Sequence, residues 1–146
     1  MLARMDVHIR PAGAPDAPAI APLLAELGYP AADDRVRERI ARLAADDRAH
    51  VLVAEHAGRI VGVATLVRFP SITAEADVAW ITSFVVASSE RGRGVGRELV
   101  AALEALARSH DCVRISVTSA EHRDGAHAFY QRLGYDYTGR RFAKKL

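Results

Sequence analysis

Cysteine is nearly absent from this sequence: Cys112 stands alone among 146 residues. One cysteine cannot close an internal disulfide, so a disulfide-stapled scaffold is excluded and a reducing cytoplasm is the expected setting. The six histidines are scattered and no Cys–His cluster exists, so no metal site is expected. An excess of charge of either sign is also lacking. The formal net charge is +2, which excludes a strongly cationic nucleic-acid coat but allows a local basic patch. No apolar run approaches the roughly 20 residues of a membrane span, and the opening "MLARMDVHIR" is too short in its apolar part for a secretory signal. There is no G-x-S-x-G, and Cys112 begins a strand-like run, so it reads as a small buried hydrophobe, not a nucleophile.

Hydrophobic residues make up 50% and charged residues 26%, a globular balance at a length suited to one domain, residues 1–146. "VHIRPAG" (7–13) predicts a first strand. Asp16 stands at a helix N-cap position, and Ile20, Leu23, Leu24 and Leu27 form one face before Gly28. Pro22 would kink or shift that helix. A second helix is predicted over 31–47, with Val36, Ile40 and Leu43 in register. Residues 50–69 read as a hairpin turning around Gly58. "DVAWITSFVV" (77–86) is dense in β-branched and aromatic residues, as a central strand would be. A helix over 96–110, a strand over 112–119, a helix ending at Gly134 and one or two short strands over 135–146 complete a mixed α/β order.

The stretch "FVVASSERGRGVGRELV" (84–100) places three glycines among arginines where the strand becomes a helix. Glycine weakens helices and arginines repel one another, so the pattern fits an anion-binding turn better than a turn that is only tight. The first N–H groups of a helix lack intrahelical partners and carry about half a positive charge. Glycines clear away the Cβ atoms that would hold a phosphate off those donors. Arg91, Gly92, Arg93, Gly94, Val95, Gly96 and Arg97 thus describe a backbone nest for an anion. The lysine of a P-loop is missing, and Gly92–Gly96 is one residue short of the dinucleotide fingerprint.

"RGRGVG" resembles the Gln/Arg-x-x-Gly-x-Gly/Ala turn of the GNAT superfamily of acyl-CoA-dependent acyltransferases, with Arg91, Gly94 and Gly96 in the defining places. "FVVASSE" before it looks like that family's central strand, and "AHAFYQRLGYD" (126–136) is similar to its second motif, F-Y-x-x-x-G-F/Y. "IRPAGAPDAPAIAPLLAELGY" (9–29) resembles its first strand and helix, so the likeness spans nearly the whole chain. The resemblance implies a mostly antiparallel central sheet with two splayed parallel strands and flanking helices. It implies acetyl-CoA as co-substrate, with main-chain contacts from Phe84, Val85 and Val86 and the pyrophosphate held by Gly92 to Arg97.

The implied activity is N-acetyl transfer to a primary amine of a small molecule or protein, directly within a ternary complex. Such a reaction needs a neutral amine, its approach to the carbonyl, a stabilised oxyanion and a proton for the leaving thiolate. Tyr130 occupies the family's proton-donor position, and a phenol with an ordinary pKa near 10 stays protonated at neutral pH. Some relatives carry a glutamate where this chain has Trp80, so the base stays open between Glu75, Asp77, His122, His127 and ordered water. Arg123 replaces a cofactor-contacting asparagine of many relatives; a phosphate contact and a plain surface charge are both open. The alternative is a non-catalytic acyl-CoA sensor or interaction domain. Nucleic acid and membrane are not expected partners, and pairing as a homodimer is left open, as is the choice of acetyl or longer acyl donor. The acceptor would meet residues 27–34 and 69–77, where Tyr29, Glu75 and Asp77 admit a cationic amine.

Overall fold

The computed structural model describes residues 6–118 and 124–146. The chain begins with β1 (His8–Pro11), a tight 3-10 turn over Ala14–Asp16, and α1 (Ala17–Leu27). Asp16 serves the turn: its carboxylate accepts from the Gly13 N–H at 2.8 Å and from Arg10 through two 2.9 Å bonds. Arg10 also donates to Glu55 on the neighbouring strand, so one guanidinium ties β1, the turn and the sheet together. Those partners keep Arg10 charged at any ordinary pH and hold Asp16 below the usual carboxylate range. Pro22 sits inside α1 without ending it. Its missing N–H leaves one carbonyl without a helical donor, and the helix runs on to Gly28, which takes the left-handed conformation. α2 (Asp33–Ala44) is shorter than its charge pattern suggested, because Asp46 caps a turn by accepting from the Arg48 N–H.

β2 (Ala49–His56) and β3 (Arg59–Phe69) form the expected hairpin. Ala57 and Gly58 both have positive φ, the requirement of a tight two-residue turn that follows the strand twist. β4 (Val78–Val86) follows, then a 3-10 turn over Ser88–Glu90, α3 (Val95–Ser109), β5 (Ile115–Val117) and α4 (Asp124–Arg132). The sheet order is β1-β2-β3-β4-β5; the first four strands are antiparallel and β5 is parallel to β4.

Both faces of the sheet are covered. α1 and α2 bury Ile20, Leu23, Val36 and Ile40 against Val53, Val63 and Val85. On the other face α3 buries Val95, Leu99, Leu103 and Ala107 against Ala64, Leu66 and Ile81. Each fully buried leucine there contributes about 1.5–3 kcal/mol. Gly62 lets α3 come close, since a Cβ on it would stand 3.0 Å from Leu99 Cδ1.

Two expectations fail at the C-terminal side. β5 spans three residues where a strand over 112–119 was expected, and residues 135–146 form no strand. Alternation gives a segment a face but no partner. Here Tyr135 turns back, its N–H donating to the Tyr130 carbonyl and its hydroxyl to Glu104 on α3. Phe142 and Leu146 lie exposed beyond it. No helix among the described residues is long and apolar enough to cross a membrane.

Candidate functional site

β4 and β5 pair only through Ala79–Ile115, Trp80–Ser116 and Ile81–Val117. Among the described residues that pairing ends at Ile81, and β4 runs on to Val86 with β3 as its sole strand partner, which leaves a gap beside the other edge of β4. The end of the pairing coincides with a bulge. Thr65 faces Ser83 and Leu66 faces Ile81, so Thr82 is an extra residue with no opposite number.

Hydrogen-bond alternation fixes which main-chain groups face the gap. The Ala87 N–H donates to Val61, so the main-chain groups of Val85 and Ser83 also point towards β3, and those of Val86 and Phe84 point away. Phe84 and Val86 therefore present N–H and C=O groups to the opening. Val85 sends its side chain into the α1–α2 core. The sequence pattern grouped these three residues; the register separates them.

The gap leads to the glycine turn. Gly92 and Gly94 have φ of 81° and 87°, the left-handed region that glycine enters without strain. Gly94 is the N-cap of α3, and its carbonyl accepts from the Glu98 N–H. The N–H groups of Val95, Gly96 and Arg97 fall in the first turn, where a helix supplies no acceptor. The Val95 side chain is buried in the core, so only its main chain is available here. Gly96 has a packing task as well, with the Phe129 ring in tight contact with the place a Cβ would take. Arg91 and Arg97 are exposed.

Two carboxylates underlie the arginines, and the sequence motifs gave no sign of either. Glu90 is buried, with Oε1 and Oε2 each 3.4 Å from a guanidinium nitrogen, of Arg59 and Arg93 respectively. Glu26 of α1 accepts from the Ser88 N–H at 3.1 Å. Hydrogen bonds from the Ser88 side chain and backbone, aided by Arg91, hold Glu26 below its ordinary range. The repulsion within the cluster is thus offset from beneath, and the outer side stays cationic. Arg93 Nε is buried without a hydrogen-bond partner among the described residues, an unmet donor within the turn. That orphan, the two left-handed glycines and the open first turn of α3 fit a diphosphate.

Tyr130 on α4 is buried next to Phe84, with ring centroids 6.0 Å apart and nearly perpendicular. Phe129 and Tyr135 complete the aromatic group, at 5.2 and 5.8 Å from Tyr130. Tyr135 is committed elsewhere: burial and its bond to Glu104 push its phenol well above the usual range. Tyr137 is exposed, so Tyr130 is the tyrosine that adjoins the strand lining the gap.

Of the remaining candidates, Asp77 lies 3.8 Å from Arg68 and Glu75 is exposed on the loop entering β4. His127 is on α4, one turn before Tyr130. His122 and Arg123 lie outside the described residues. Cys112 is partly buried, and burial pushes its thiol up, against a nucleophilic role.

Comparison with known proteins agrees with this geometry. Residues 18–135 match the acetyltransferase (GNAT) family. A glucosamine 6-phosphate N-acetyltransferase of Trypanosoma brucei brucei is 37% identical over 79 residues, spanning 53% of this chain and 52% of that protein, about half of each. A solved acetyltransferase of Trypanosoma brucei superposes with a TM-score of 0.82 at 29% identity, covering 97% of this chain and 100% of the other. A structure described as a transcriptional regulator from Bacillus halodurans reaches 0.89 at 23% identity with the same coverage, a likeness of fold. The glycine turn and the match over residues 18–135 lead to one conclusion: this chain belongs to the GNAT acetyltransferase family.

Proposed function

We propose that this protein is an N-acetyltransferase that moves an acetyl group from acetyl-CoA to a primary amine by direct attack within a ternary complex. One observation carries the reading: main-chain groups of Phe84 and Val86 lie on the edge of β4 that has no strand partner among the described residues, just before the uncapped first turn of α3. Acetyl-CoA supplies an activated thioester; as the C–N bond forms the C–S bond breaks, the nitrogen losing one proton and the sulfur gaining one. This chain's residues hold and orient the partners. Gly92 to Arg97, with Arg91 at the entrance, grip the diphosphate through main-chain N–H groups and guanidinium charge. Phe84 and Val86 bond the pantetheine arm as a further strand would, and an N–H of this pair polarises the thioester oxygen. Tyr130, beside Phe84, provides the proton that the leaving sulfur takes up.

Calorimetry with acetyl-CoA and CoA tests the grip. Both should bind the parent protein. Gly94→Glu, which forces a side chain into the left-handed N-cap and sets a carboxylate beside the diphosphate, should bind at least about 100-fold more weakly, or about 2.7 kcal/mol. Equal binding by parent and variant rules the site out. Binding with no release of free CoA across a panel of amines would mark a sensor instead of an enzyme.

A further inference from the structure

The helices do not cover the sheet evenly. α1 and α2 bury Val53, Val63 and Val85, and the strand period carries Thr65, Val67 and Phe69 of β3 onto that same face. Their partners Ser83, Trp80 and Val78 come with them. Val67, Phe69 and Trp80 belong to neither buried apolar cluster. Thr65 and Val78 are buried and Val67 and Phe69 half-buried, so this end of the face is a shelf whose open part is Trp80, one residue before the last pair that joins β4 to β5. On it the Trp80 and Phe69 rings stack with centroids 6.3 Å apart at 29°, and Trp80 stays 40% exposed. The Ser83 hydroxyl, donating to Thr65 at 2.8 Å, forms the neighbouring polar floor.

Core packing gives no reason to leave a stacked tryptophan half open at the mouth of the gap. Its flat apolar face is a binding surface for another ring. The charge nearby has a definite sign. The loop entering β4 carries Glu75 and Asp77. The cation adjacent in sequence, Arg68, alternates to the opposite face, where it donates to the Asp47 carbonyl at 2.7 Å and to His50 at 3.1 Å and lies 3.8 Å from Asp77. With Asp77 paired to Arg68, exposed Glu75 is the loop charge left without an ion pair among the described residues, so the shelf suits an ammonium on an aromatic body better than a phosphate.

We infer that the acceptor is a small arylalkylamine whose ring stacks on Trp80 while its amino group reaches the gap beyond Ile81. This rests on the acetyl-transfer reading above and names the substrate class for it; the glucosamine 6-phosphate of the trypanosomal relative is not the acceptor here.

Trp80 is the only tryptophan in the chain, so its emission reports the shelf directly. Phenethylamine, n-butylamine and glucosamine 6-phosphate are titrated onto the CoA-saturated protein while Trp80 emission is read. Release of free CoA from acetyl-CoA is then followed with each amine. Phenethylamine should change the emission saturably and show a KM about tenfold below that of n-butylamine, the yield of one good ring contact. Trp80→Ala should raise the phenethylamine KM by about the same tenfold and leave acetyl-CoA binding unchanged, with Trp80→Phe restoring part of the loss. A preference for glucosamine 6-phosphate, or a Trp80→Ala variant with unaltered amine KM, overturns the acceptor assignment and leaves acetyl transfer standing. Failure of acetyl-CoA to bind the parent protein removes both.

Discussion

Gly96 packs against the ring of Phe129 so closely that a Cβ on residue 96 would stand 3.1 Å from Cζ and 3.3 Å from Cε1. The first turn of α3 and the helix that carries Tyr130 are thereby locked together through one missing methyl group. The glycine turn and the candidate acid are one assembly.

Gly96→Ala tests that lock. The added methyl pushes on Phe129, an overpacking cost of about 1–3 kcal/mol, partly offset by the 0.5–1 kcal/mol or so that alanine gains over glycine in a helix. The net expectation is a small fall in Tm with a larger fall in turnover, because Tyr130 adjoins Phe129. Combining the change with Phe129→Leu should recover turnover. Thermal melts and steady-state rates on the single and double variants decide it; a turnover unaffected by Gly96→Ala would mean the contact does not position α4.

Tyr130→Phe separates proton donation from packing. The ring contacts with Phe84, Phe129 and Tyr135 survive the change and only the hydroxyl is lost. General acid catalysis contributes about 10²–10⁴-fold, so kcat should fall by roughly 100-fold while acetyl-CoA binds as before. Undiminished kcat would show that the thiolate takes its proton from water.

The far end of α3 makes stability depend on pH. His50 Nε2 accepts from Arg68 Nε at 3.1 Å, and the His110 ring lies 5.2 Å away. Burial, then Arg68, then His110 hold the His50 pKa below its ordinary 6.5, so the folded state keeps this imidazole neutral. The unfolded chain takes up the proton near pH 6.5 and the folded chain only at lower pH. Stability is therefore full above 6.5 and falls as the pH drops through the interval below it. Asp16 and Glu26 act later: their depressed pKa values support the fold above ordinary values of 3.8 and 4.5 and fail only as pH falls through the folded ones. Between pH 7.5 and 5.5 the loss should belong to His50. His50→Gln, which keeps an acceptor for Arg68, should flatten Tm across that range, and an unchanged slope would place the titration elsewhere.

The elements were legible where periodicity and punctuation agreed. α1 stops at Gly28 and the hairpin turns at Gly58, as their residues suggested, because a left-handed φ leaves few alternatives to glycine. The glycine turn before α3 was legible for the same reason. The roles of Glu26 and Glu90 were not: Glu26 meets Ser88 across 62 residues, and Glu90, local to Arg93, meets Arg59 across 31. The closing segment failed for want of a partner, since β5 offers only three residues.

Sequence alone determined the family, the turn at Arg91–Arg97 and the position of Tyr130, because local backbone demands and motif spacing are written along the chain. Tertiary structure decided which strand groups face the gap. The bulge at Thr82 and the pairing of Ala87 with Val61 turn Phe84 and Val86 outward and Val85 inward. It also decided that Trp80 stays partly exposed and that buried Glu90 and exposed Glu26 steady the arginines. Register and burial are relations between distant segments, and no single stretch of sequence contains them.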